Sequence, residues 1–146
     1  MKKAIISMLL PLTALACGGG DANTDETSEA EASTGTVTIV TPTNGALING
    51  STVTVQLSST VQILPAGDLT PSSGHHHLYL DADLTGATEP VPTVPGSIIH
   101  MGDASSTFVF EDVPPGEHRL IAVVADGVHV PLQPWVVDTV IFTVAN

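Results

Sequence analysis

From Thr36 onward, apolar and polar positions alternate with period two, and the apolar ones are rich in β-branched residues. That is the pattern of strands with one buried face. It predicts seven strands: Thr36–Val40, Ser51–Leu57, His75–Asp81, Ile98–Met101, Thr107–Phe110, Glu117–Asp126 and Val136–Val144. Asn44-Gly45, Pro114-Pro115-Gly116 and Asp126-Gly127 carry turn chemistry and punctuate the gaps. No stretch of helical period is long enough to compete. Seven short strands within about 110 residues predict an all-β fold, an immunoglobulin-like antiparallel β-sandwich. The connection from Asp83 to Gly96 holds Pro90, Pro92 and Pro95 and is expected to run extended along a sheet edge. Trp135, at the start of the last strand, is expected to pack over the edge of the sandwich.

The first 35 residues follow a different pattern. Met1-Lys2-Lys3 is a short positive region, and the apolar run Ala4 to Leu10 after it is too short to span a bilayer. Together with Leu12 to Ala16 this reads as a secretory signal peptide over residues 1–16. The only Cys, Cys17, follows a small residue and precedes Gly18-Gly19-Gly20. This resembles the lipobox of bacterial lipoproteins, which implies a lipidated Cys17 as the mature N-terminus and an anchor in the cell envelope, with Gly18 pointing to the outer membrane. Ala14-x-Ala16 also fits an ordinary signal peptidase cut. Residues 17–35 carry Asp21, Asp25, Glu26, Glu29 and Glu31 and no large apolar side chain, so they read as a disordered acidic tether. The domain itself is placed at 36–146.

Charge narrows the partners. The chain has 15 Asp+Glu and 3 Lys+Arg. Lys2 and Lys3 belong to the leader, so the domain sets ten carboxylates against Arg119 alone, a charge of −9 with His neutral. No basic stripe exists for nucleic acid or anionic headgroups, and cations are favoured over anions. One Cys excludes a disulfide framework and any Cys-based zinc motif. Neither a Gly-x-Ser-x-Gly nor a reactive Cys is present, and Ser72 and Ser73 read as turn residues; no catalytic set is expected.

All six histidines fall in the domain: His75, His76, His77, His100, His118 and His129. Four motifs carry them in order. They are Gly74-His75-His76-His77-Leu78-Tyr79-Leu80-Asp81, His100-Met101-Gly102-Asp103, Val113-Pro114-Pro115-Gly116-Glu117-His118-Arg119-Leu120 and Ala125-Asp126-Gly127-Val128-His129-Val130-Pro131. This ordered set, from about Ser73 to the C-terminus, resembles the bacterial domain of unknown function 4399 family. Met101 departs from the aromatic usual there, and Gln133-Pro134 from a more polar stretch. The resemblance implies no established activity.

Sandwich geometry carries the reading further. If the third and sixth strands pair antiparallel, the start of one meets the end of the other, bringing His75–His77 beside Asp126 and the loop of His129. His100 ends a strand toward the same rim, while His118 begins the sixth strand at the opposite end. His75 and His77 share a face with Tyr79; His76 shares the inward face with Leu78 and Leu80. His75, His77, His100 and His129 therefore form a candidate three- or four-imidazole site for copper or zinc, with Asp103 or Asp126 able to orient a ring nitrogen from behind. His76 and His118 are read as structural. The primary reading is a non-catalytic interaction or structural domain, with a His-rich metal-binding protein as the alternative. A local His-x-His likeness to copper–zinc superoxide dismutases ranks below both, since the surrounding negative charge repels an anionic substrate.

Overall fold

A computed structural model describes residues 35–145. The predicted leader (1–16), Cys17 and all but the last residue of the acidic tether lie outside the described residues. Nine strands and no helix are found among those described. They are β1 (Val37–Thr41), β2 (Leu47–Ile48), β3 (Val53–Ser59), β4 (Gln62–Ile63), β5 (Ser73–Leu80), β6 (Ile98–Met101), β7 (Thr107–Phe110), β8 (Gly116–Ala125) and β9 (Val137–Val144). The seven strands expected from the alternation are all present, shifted by at most two residues at either end. The two-residue strands β2 and β4 are additional; each pairs in parallel, β2 with β9 and β4 with β5, and neither is long enough to leave a periodic signal.

The strands form two sheets. The smaller has the order β1-β3-β7, and the larger runs β2-β9-β8-β5-β4, with β6 also on β5. The larger sheet curls into a half-barrel. Between the sheets lies the main core. Val37 and Ile39 of β1 and Val53, Val55 and Leu57 of β3 meet Leu78, Leu80, Leu120, Ala122, Val124, Val140 and Phe142 from the larger sheet. Every second residue of each strand contributes, as period two requires. The backbone N–H of Ile39 donates to Asp138 Oδ2 at 2.8 Å, tying β1 to β9.

Two expectations are corrected. All eight residues of β5 and the last six of β8 are buried, so these strands bury both faces rather than one. The cover is the proline-rich connection, which lies over the outer face of the larger sheet instead of along its edge. Its Val91 packs with Tyr79, Ile98, Ile121, Val123 and Ala125 into a second apolar cluster, with Ala82 and Leu84 against it. Burying a Val or Ile side chain of this kind contributes about 1.5–3 kcal/mol. Trp135 is 36% exposed ahead of β9.

Candidate metal centre

The outer face of the larger sheet divides into two zones. At the Tyr79 end it is sealed by the strap that Val91 anchors. At the other end it carries histidines. β5 pairs antiparallel with β8 and sets His75 opposite Ala125, one residue before the turn that holds His129. On its other edge β5 pairs with β6, and His77 faces His100 directly. Directly opposed residues of an antiparallel pair place their side chains on the same face within about 5 Å, so His75, His77 and His100 converge by register alone.

His129 arrives from the loop between β8 and β9, and its backbone is left-handed, with φ 72°. A branched-chain-free but bulky residue in this region carries strain of about 1–3 kcal/mol, which the surroundings must hold in place. They do so with several hydrogen bonds. The His129 N–H donates to the Asp126 carbonyl at 2.9 Å, and its own carbonyl accepts from the Val91 N–H at 2.9 Å. Asp126 Oδ1 accepts from the N–H groups of Val128 and Val130, both at 2.9 Å. Asp126 is thus a staple of this loop and bonds no ring nitrogen. Asp103 behaves likewise: its Oδ1 accepts from the Ser105 N–H at 3.0 Å. Neither carboxylate bonds a ring nitrogen here; short local bonds to backbone N–H groups hold both.

The four rings come together closely. Nε2 of His77 and Nε2 of His75 lie 3.0 Å apart, and Nε2 of His129 and Nε2 of His100 3.2 Å apart. One ligand atom each from His75, His100 and His129 falls within 4.8 Å of the others, while His77 stands outside that trio and meets it through His75 Nε2. His75 and His77 are fully buried, whereas His100 and His129 are half-buried and open the cluster to solvent. Nδ1 of His75 and Nδ1 of His77 are buried without a hydrogen-bond partner. Buried polar atoms lacking a partner are few in folded proteins, and each costs about 1–3 kcal/mol. Burial, followed by repulsion from His100 and His129, pushes His75 down to about 4. Burial, followed by repulsion from His75, His100 and His129, pushes His77 down to about 3. His100 is lowered by burial and by His129. These imidazoles are neutral at pH 7, the form that ligates metal.

Gly102 makes room for the cluster. A Cβ there would strike His100 at Cε1 and Nε2, the edge that faces the other rings. The sequence places this glycine in the motif His100-Met101-Gly102-Asp103 but not its role, because the clash exists only once the turn after β6 folds back on its own histidine. Gly127 allows a second close approach: a Cβ at that position would meet the Asp68 carbonyl, and the Gly67 N–H donates to the Gly127 carbonyl at 2.9 Å. The 64–69 segment thereby buttresses the His129 loop.

The remaining histidines stand apart. His76 points into the main core, where its Nδ1 donates to the Ser105 carbonyl at 3.0 Å and its Nε2 accepts from the Ser59 hydroxyl at 2.8 Å. That pattern fixes the neutral Nδ1–H tautomer and joins β3, β5 and the turn after β6. Burial lowers its affinity for a second proton, and the Ser105 carbonyl opposes this only in part. His118 lies at the opposite end of the sheet. Its Nδ1 meets Asp81 Oδ2 at 2.6 Å and its Nε2 meets the Pro114 carbonyl at 2.8 Å, two acceptors that require both nitrogens to donate. Burial disfavours this charge, but the bonds to Asp81 and Pro114 outweigh it and His118 is raised. The ring also stacks on Phe142, centroids 5.5 Å apart.

By fold and by site this is an all-β domain that presents four converging imidazoles on the outer face of its larger sheet. The chain belongs to the family described as domain of unknown function (DUF4399), which matches residues 53–145, from the start of β3 through β9 and all six histidines. No curated protein and no solved structure matches the chain.

Proposed function

We propose that the domain binds a divalent transition metal ion, copper or zinc, through His75, His77, His100 and His129. The observation that carries this is the convergence of four imidazoles from three separate segments, with Nε2 atoms in pairs 3.0 and 3.2 Å apart. Ligand nitrogens around one tetrahedral ion, with bonds of about 2.0–2.1 Å, stand about 3.3 Å from one another. The acidic domain favours cations, and binding rather than catalysis is the role proposed. An anchored position in a bacterial cell envelope, through a lipid on Cys17, completes the reading and rests on the leader alone.

The test is calorimetry and thermal denaturation with Cu(II) and Zn(II) on a chain free of any His tag. One ion per chain and a raised melting temperature are expected, by linkage of binding to folding. The response is lost in His77→Ala and His129→Ala and kept in His118→Ala. Titration with neither heat nor thermal shift rejects the metal reading. A second reading would then stand, an immunoglobulin-like interaction module. It is supported by strand orders β1-β3-β7 and β9-β8-β5-β6, which follow the antiparallel two-sheet plan of that sandwich.

A further inference from the structure

The separations among the four rings carry information about which metal they suit. For all six pairs the ring centroids are 4.8 Å (His75–His77), 4.9 Å (His75–His100), 5.0 Å (His75–His129), 5.2 Å (His77–His100), 5.7 Å (His77–His129) and 4.7 Å (His100–His129). With metal–nitrogen bonds of about 2.0–2.1 Å and a ring centre about 1.1 Å beyond each nitrogen, a tetrahedral ion sets all six centroid distances near about 5.1 Å. A square-planar ion with the same bonds gives a split set, four distances near about 4.5 Å and two near about 6.3 Å. The observed values form one group, from 4.7 to 5.7 Å, with no long pair.

We infer that His75, His77, His100 and His129 form a tetrahedral, four-imidazole site suited to Zn(II), with His77 as a full ligand. The inference rests on the proposed metal binding and adds to it the ion class and the count of ligands. Zn(II) has no geometric preference from its d electrons and settles in tetrahedral sites, whereas Cu(II) and Ni(II) favour square-planar or tetragonal surroundings. The rings have little freedom to re-form as a plane. His75 and His77 alternate along one strand, and His100 is pinned opposite His77 by the β5–β6 ladder. His129 is fixed by the left-handed loop and its bond to Val91. Two ligands of this set are wholly buried, so exchange with solvent is confined to the His100 and His129 side.

The experiment uses the full chain, stripped of metal by chelation and loaded with Co(II) as a spectroscopic stand-in for Zn(II). Expected are intense visible d–d bands of tetrahedral Co(II), bleached by one equivalent of Zn(II). X-ray absorption of the Zn(II) form is expected to show four nitrogen neighbours with the outer-sphere scattering of imidazole. His77→Ala weakens Zn(II) binding by at least about a hundredfold, beyond the 10–100-fold typical of changes behind the ligands. His129→Gly, whose backbone suits a left-handed φ, gives a second ligand deletion that keeps the fold. Weak, octahedral-type Co(II) bands, or three nitrogens with His77→Ala neutral, overturn the tetrahedral site while leaving metal binding intact. If neither Co(II), Zn(II) nor Cu(II) binds, the proposed function falls as well.

Discussion

The three consecutive histidines of β5 have two different fates, set by the strand's alternation. His75 and His77 face outward into the cluster; His76 faces inward and is satisfied on both nitrogens by Ser59 and Ser105. His76→Ala therefore leaves a cavity in the core and strips the half-buried Ser59 hydroxyl and Ser105 carbonyl of a partner. A loss of about 2–5 kcal/mol is expected, read by urea denaturation. Gly102→Ala tests the opposite kind of residue. Its φ lies outside the left-handed region and its added methyl meets first the His100 ring edge and then the Ala66 methyl, so the fold is expected to persist. Displacement of His100 is expected to weaken Zn(II) binding by at least about tenfold, a loss of about 1.4 kcal/mol in calorimetry. Alternation made the facing of all three β5 histidines legible in the sequence, and strand pairing made His100 and His129 legible as neighbours. Gly102 and the partners Ser59 and Ser105 were not, since each acts through a contact made only after distant segments meet. The carboxylates of Asp103 and Asp126 sat in the right places but were captured by nearer backbone N–H groups.

At the scale of elements, the strap between β5 and β6 is the part whose role the alternation misplaced. Prolines suggested an edge, and the strands suggested one solvated face. A signal for the second buried face did exist: Leu120 to Ala125 is an unbroken apolar run, the mark of a strand covered on both sides. The strap supplies that cover and is fastened at both ends. Arg119 donates to the Ala82 carbonyl at 3.0 Å and pairs with Asp83, and the Val91 N–H donates to the His129 carbonyl at 2.9 Å. Val91→Asp buries an unpaired carboxylate and is expected to destabilise the domain by more than about 3 kcal/mol. Val94→Asp, on a residue 43% exposed, is expected to stay within about 0.5 kcal/mol. Equal effects of the two, in chemical denaturation, would show that the strap does not seal the sheet. The Arg119–Asp83 pair is exposed, and its removal is expected to change stability by less than about 1 kcal/mol.

For the whole molecule, the two histidine groups at opposite ends of the larger sheet respond to pH with opposite signs. His75 and His77 are held down to about 4 and about 3, below the unfolded value of about 6.5. Between those limits the unfolded chain binds more protons than the folded one, so the metal-free domain loses stability as pH falls from about 6.5 towards 4. His118 is raised, so its contribution is complete below about 6.5 and is lost as pH climbs through its folded value. The two losses lie on either side of about pH 6.5, and a stability maximum near that pH follows for the chain without metal. Zn(II) changes only one flank. Ligation adds about 2.7 kcal/mol when free metal is a hundredfold above Kd, and protons competing for the same nitrogens remove that gain on the acid side. Melting curves from pH 3 to 9, with Zn(II) and with chelator, are expected to diverge most near neutrality and to converge as pH falls towards 3, through the range where His75 and His77 take up protons. His118→Ala is expected to flatten the alkaline flank alone. A zinc-dependent shift that His75→Ala and His129→Ala leave unchanged across this range would place the ion away from the four imidazoles.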